Sequence, residues 1–144
     1  MTIRCEIVSQ DRTVFAGDVD IVVLPGAAGE MGILPKHAPV LTTLKYGIIK
    51  VRKGGKEEIF TVAGGVAEVQ PDIITVLADS AENVEEIDVA RADAARTRAE
   101  EALKSAPADT DAYLAMEAAL RKSNLRLDAA RRYRKNTRSP YSEQ

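Results

Sequence analysis

The nine glycines of this 144-residue chain stand at 17, 26, 29, 32, 47, 54, 55, 64 and 65, and none comes later. Alanine crowds the other end, with fourteen between positions 90 and 130. Glycine punctuates strands with turns, while alanine is the residue a helix accepts at least cost. That segregation constrains the fold more than any other feature. A β-rich half comes first and an α-rich half second, with a boundary near residue 84, giving expected domains 1–84 and 85–144.

Within the first half the hydropathy alternates with the two-residue period of a strand. Ile3, Cys5 and Ile7 share one face against Arg4 and Glu6, and Val19, Ile21 and Val23 repeat the pattern after Asp18 and Asp20. Strands at 48–51 and 59–62 flank Lys53-Gly54-Gly55-Lys56, a hairpin signal because paired glycines accept positive φ. Strands at 66–69 and 73–77 flank Gln70-Pro71-Asp72, a second turn. Short strands separated by frequent turns indicate a sandwich or small barrel.

The second half reads as two helices. Asp88 is placed to cap the free amides of a helix that runs to about Lys104, and Ser105-Ala106-Pro107-Ala108-Asp109 breaks it. A second helix runs from about Asp111 to Lys135, with Tyr113, Met116, Leu120 and Leu127 on one stripe. So short a break implies an antiparallel hairpin. The stripe of the first helix is Ala92, Ala95, Ala99 and Ala102. One buried methyl contributes about 0.8 kcal/mol, against roughly 1.5–3 kcal/mol for a leucine. The hairpin is therefore expected to be loosely held and suited to rearrangement.

Several functions are excluded or disfavoured by the totals. Cys5 is the only cysteine, so no internal disulfide and no cysteine cage for a metal can form, which fits a reducing compartment. A net charge of −2 and aromatics at 4% with no tryptophan supply neither a basic field nor a stacking platform for nucleic acid. The N-terminus meets charge too soon for a signal peptide, and no apolar run reaches membrane-spanning length. A partner must hold such a chain at any membrane where it works. There is no P-loop, no metal-ligand spacing and no nucleophile elbow, and Gly26-Ala27-Ala28-Gly29 lacks the helix that a dinucleotide fingerprint requires.

Two constellations remain. The single histidine, His37, sits in GEMGILPKHAPVL at 29–41, between Pro35 and Pro39. The prolines fix their own φ and are expected to push Lys36 and Ala38 toward extended conformations, giving a stiff loop suited to docking. No serine or cysteine in the local motif makes His37 a catalytic base, so it is a contact or a residue that bonds its own backbone. The other constellation is cationic. Arg91 and Arg98 lie seven apart on the first helix, and Lys122 and Arg126 four apart on the second. Facing one another they would clamp an anion; otherwise they are a solvated face with intrahelical pairs such as Asp88 with Arg91. Residues 82–101 hold seven acids and three bases, whereas 121–138 hold eight bases and one acid. Such a terminus suits an acidic protein surface, nucleic acid or plain solvation, and composition does not choose among them.

These residues together resemble the epsilon subunits of F-type ATP synthases over nearly the whole chain. The most specific stretches are GEMGILPKHAPVL at 29–41, VAGGVAEVQPDIITVLADSA at 62–81 and IDVARA at 87–92. The resemblance implies an N-terminal antiparallel β-sandwich and a C-terminal antiparallel α-helical hairpin. It implies a non-catalytic rotor subunit that couples rotation of the c-ring and γ to ATP synthesis, with no cofactor required. It places the loop holding Glu30, Met31, Ile33, Pro35, His37 and Pro39 at the c-ring and γ. It implies a hairpin that extends to meet the β and α subunits and blocks ATP hydrolysis, with its basic last helix against an acidic segment of β.

IDVARA is similar to the family's I/L-D-x-x-R-A motif for ATP, a regulatory ligand that favours the folded hairpin. Carried over by position, Ile87, Asp88 and Ala92 would lie toward adenine and ribose. Arg91, Lys122 and Arg126 would meet the phosphates with Arg98 nearby, and Lys122 stands where strong ATP binders carry arginine, a point charge in place of a planar fork. The implied location is the cytoplasmic face of a bacterial plasma membrane, or its organellar equivalent, reached only through the complex. The alternative is a free-standing nucleotide-sensing module with an acidic protein partner.

Overall fold

The structure, a computed structural model, describes residues 1–134. Eight strands are followed by two helices: β1 (Ile3–Val8), β2 (Thr13–Val19), β3 (Ile21–Gly26), β4 (Gly29–Ile33), β5 (Val40–Lys53), β6 (Lys56–Val69), β7 (Ile73–Ala78), β8 (Ala81–Asn83), α1 (Val89–Ser105) and α2 (Asp111–Tyr133). A 3-10 turn over Val84–Glu86 precedes α1. The chain divides into two units, Met1–Asn83 and Val84–Gln144.

In the first unit the strand order is β2-β1-β7-β6-β5-β3-β4, with β8 also on β6. All pairs are antiparallel except β1 with β7. The long β5–β6 hairpin belongs to both layers. At its open end Gly65 to Val69 pair with β7, which in turn pairs with β1, whereas Lys50 to Arg52 pair with β3 and Phe60 to Val62 with β8. Between the layers sit Ile3, Cys5, Ile7, Val22, Leu24, Ile33, Ile49, Phe60, Val62, Ile74 and Val76, the apolar faces that alternation requires of a two-layer fold. The Phe15 and Phe60 rings meet edge to face at 5.6 Å.

Two expectations need correction. The strands anticipated at 59–62 and 66–69 are one 14-residue strand, β6. Gly64 and Gly65, at φ 87 and 133, bend it without ending it. A Cβ on Gly65 would lie 2.3 Å from the Leu77 carbonyl oxygen, so only glycine lets β7 approach there. Ile21 and Val23 do not share the inward face of Val19. They are half-buried, while Val22 and Leu24 are fully buried, because Asp20 breaks the strand and reverses the phase. The Asp20 main-chain N–H donates to the Arg52 carbonyl at 2.7 Å, and its carboxylate accepts the Gly54 N–H at 2.8 Å. That bond anchors the Gly54-Gly55 turn, whose φ values of 57 and 79 are those of a type I′ hairpin.

In the second unit Asp88 caps α1 as anticipated, accepting the Arg91 N–H at 3.0 Å. Thr110 caps α2 by accepting the Tyr113 N–H at 3.2 Å. Helix α1 buries Ala92 and Ala99, with Ala95 and Ala102 half-buried. Helix α2 buries Ser123, Leu127 and Ala130 at spacings of four and three, with Ala129 beside them; Tyr113, Met116 and Leu120 are half-buried. The helices pack on each other, and Leu127 is the one large aliphatic side chain that either of them buries among the described residues.

Candidate functional site

The candidate contact loop is a strand end followed by one tight turn. Gly29 to Ile33 pair with β3, which leaves Glu30 exposed, Met31 half-buried and Ile33 in the sandwich core. Ile33 therefore supports the loop from beneath and offers no contact surface. Leu34-Pro35-Lys36-His37 form a turn closed by the His37 N–H on the Leu34 carbonyl at 3.2 Å. Lys36 has φ 66, not the extended conformation expected of it. Proline at the second position constrains the residue before it, and leaves the third free to take the left-handed conformation of a type II turn. The Lys36 N–H donates to the Pro71 carbonyl at 2.8 Å, which fastens this turn to the one between β6 and β7.

His37 Nδ1 lies 2.7 Å from the Ala38 carbonyl oxygen. A carbonyl only accepts, so Nδ1 carries the proton in this contact. The ring thus bonds its own loop, the structural alternative anticipated for it. Pro35 is half-buried and Pro39 exposed. Flanking the turn are Leu34, 57% exposed, and Leu41, 72% exposed. Sequence reasoning passed over both, although LPKHAPVL could have shown them, since leucines bracketing a rigid exposed turn have no core to enter. A second apolar strip runs across β1, β7 and β6 through Val8, Leu77 and Val66, which are register neighbours. Together with Ser9, Gln10 and Asp79 it lines a groove of about 490 Å³.

The residues anticipated for an anion site lie on both helices of the hairpin. Arg134, the C-cap of α2, donates through its guanidinium to the carbonyl oxygens of Ile87 and, at 3.3 Å, of Glu85. With 134 beside 87, antiparallel helices bring Arg126 near the level of Ala95, between Arg91 and Arg98, and Lys122 near Ala99. Each cation directly precedes a buried residue: Ala92, Ala99, Ser123 and Leu127. In an antiparallel pair that position falls on the same flank of the seam in both helices. Arg91, Arg98 and Lys122 are exposed and Arg126 is half-buried. Asp88 meets Arg91 through the main-chain amide, while Arg96 takes the carboxylates of Asp93 at 2.5 Å and Glu100 at 3.9 Å. Ile87 and Ala92 are buried at the same end of α1.

Of the basic run anticipated over 121–138, Lys135 and Arg138 lie outside the described residues, as does the last residue of the second helix as first expected. Cys5 is buried, and desolvation, with Glu6 adding and Arg4 opposing, pushes its thiol up to about 12. That removes it as a nucleophile. Among the described residues no group of three or more His, Cys, Asp or Glu could hold a metal ion, and no helix is long and apolar enough to cross a membrane.

The chain is thus a two-part protein, a β-sandwich with an exposed, apolar-flanked turn followed by a helical hairpin. Residues 2–84 match the beta-sandwich domain of the ATP synthase Delta/Epsilon chain, and residues 85–131 match its long alpha-helix domain. The ATP synthase epsilon chain of Desulforamulus reducens is 48% identical over 129 residues, covering 90% of this chain and 97% of the relative. That of Nitrosococcus oceani is 43% identical over 136 residues, covering 94% and 96%. Among solved structures, a chain in the Euglena gracilis mitochondrial ATP synthase OSCP/F1/c-ring assembly superposes with a TM-score of 0.73 at 27% identity, covering 90% of this chain and 81% of that one. The chain belongs to the ATP synthase Delta/Epsilon family, among its epsilon chains.

Proposed function

We propose that this chain is the non-catalytic epsilon subunit of a proton-translocating ATP synthase, part of the rotor, and an intrinsic brake on ATP hydrolysis. The observation that carries the brake is the seam of the hairpin. Helix α1 closes on α2 with buried alanines, and α2 answers with Ser123, Ala130 and one leucine. A pair so thinly packed changes partners at a cost of a few kcal/mol, which is the scale on which ligands shift populations.

The sandwich docks on γ and the c-ring. Leu34 and Leu41 beside the Pro35–Pro39 turn are apolar surface of the kind that partners cover, and Val8, Val66 and Leu77 add a second strip. When the hairpin extends, the basic residues of α2 meet acidic surface on the β and α subunits. ATP is a regulatory ligand of the folded hairpin, with its phosphates on Arg91, Arg98, Lys122 and Arg126, and Ile87, Asp88 and Ala92 toward the nucleoside. No cofactor is required. The subunit reaches the cytoplasmic face of the membrane only through the complex, and no nucleic acid is involved.

Hydrolysis by the catalytic head, reassembled with the full chain or with a chain ending at Asn83, tests the brake. Faster hydrolysis with the shorter chain is expected, and equal rates would overturn it. Co-purification with γ and a c-ring separates a rotor subunit from a free-standing nucleotide sensor. The nucleotide role is tested by melting: ATP should raise the melting temperature, and Arg126→Ala should abolish the rise. No titration heat and no shift at millimolar ATP would refute that part alone.

A further inference from the structure

We propose that Arg134 is the latch of the helical hairpin, a side chain at the C-cap of α2 that ties the helix to the segment leading into α1. Its Nη2 donates to the carbonyl oxygen of Ile87 and, at 3.3 Å, to that of Glu85. Those residues are 47 and 49 positions away in sequence.

The Ile87 carbonyl needs such a partner. Ile87 directly precedes the N-cap, so its carbonyl lies outside the helical ladder, which begins with the Ala92 N–H on the Asp88 carbonyl at 3.0 Å. Glu85 belongs to a 3-10 turn only three residues long. The turn closes weakly, the Ile87 N–H reaching the Val84 carbonyl at 3.4 Å. A main-chain oxygen without a partner is costly, and a guanidinium is a strong donor that can hold two acceptors in one plane. The same residue also ends α2. Its main-chain N–H donates to Ala130 at 3.3 Å, while its chain direction leaves the helix at φ −72, ψ 122. Arg134 thus performs two tasks: the backbone stops α2 and the side chain crosses to the other strand of the hairpin.

The consequence is positional. The seam grips weakly along its alanine-rich length, so the Arg134 contact adds closure where α2 ends and α1 begins. The latch closes over Ile87 and sets the base from which Asp88 starts the first turn of α1. Opening the hairpin therefore begins with release of these two carbonyls, and a bond to a charged donor of this kind shifts an opening equilibrium by about tenfold to a hundredfold.

The test is amide hydrogen exchange on the full chain, comparing the wild type with Arg134→Ala and Arg134→Lys. With Arg134→Ala, exchange should rise about tenfold or more over both 88–95 and 126–133, with the sandwich strands unchanged. Arg134→Lys, a point charge that serves one carbonyl, should fall between. A rise confined to the last turn of α2 would mean simple fraying and overturn the latch. So would an equal rise in the sandwich, or no change in 88–95. The measurement uses neither ATP nor any partner subunit, so its failure is distinct from failure of the proposed brake.

Discussion

Leu127→Ala is the sharpest probe of the hairpin. Leu127 is 7% exposed, in the middle of the buried stripe of α2, and the rest of that stripe is serine and alanine. Buried leucine-to-alanine changes cost about 2–5 kcal/mol, the amount depending on how far the surroundings collapse. Here the neighbours are small and two helices can close on the gap, which favours the lower half, about 2–3 kcal/mol. At about 1.4 kcal/mol per tenfold, the open population rises about 30- to 150-fold. Trypsin reads that population, because Arg98, Lys104 and Lys122 sit in regular helix and are cut only when it opens. Cleavage under native conditions should accelerate by that factor. Leu114→Ala, at a position 56% exposed on the same helix, should change it by less than about threefold. A Leu127→Ala rate within threefold of the wild type would refute the view that Leu127 carries most of the packing within the seam.

Three further outcomes follow from local geometry. Asp88→Ala removes the acceptor of the Arg91 N–H and should cost about 1 kcal/mol of helix stability in chemical denaturation; Asp88→Asn, which keeps an acceptor, should cost a few tenths. Gly65→Ala would force a methyl to within 2.3 Å of the Leu77 carbonyl at a φ of 133, and should lower the sandwich melting temperature by many degrees, whereas Gly54→Ala, with open space around it, should lower it less. The Cys5 thiol, raised from 9.0 to about 12 in the fold, keeps its proton where the unfolded thiol has lost it. Its stabilisation is fully present below pH 9 and should be lost as pH rises from about 9 to 12, a slope that Cys5→Ala removes in pH-dependent unfolding.

Much of this fold is legible in the sequence where one residue type has one conformational use. Gly54-Gly55 announced a hairpin turn, and Asp88 before a run of helix formers announced a cap; the structure has both. The alanine stripe of α1 and the stripe ending at Leu127 follow from helical period alone. Legibility failed where a residue had two uses. Gly64-Gly65 has the composition of a turn, but it serves as a bend within one strand because its partners on β5 continue past it. Asp20 looked like one more outward residue in an alternating run, and only its bond to Gly54, 34 positions on, makes it a corner. Lys36 is left-handed because it is third in a turn, which the two flanking prolines did not disclose. Of the candidate site, the spacing of each cation pair was visible. The contact of Arg134 with Ile87, which ties the end of α2 to the start of α1, was not.

The corner at Gly64-Gly65 has a mechanical consequence. Because one continuous hairpin runs through both sheets, a load on either sheet travels to the other along covalent main chain and not only across apolar contacts. The Leu34–His37 turn hangs directly between β4 in one sheet and the start of β5 in the other. A push delivered there meets a frame in which the sheets slide past each other only by turning the backbone dihedrals of the shared hairpin. Such a body transmits twist as a single stiff piece, which is what any component riding on a rotating axle requires.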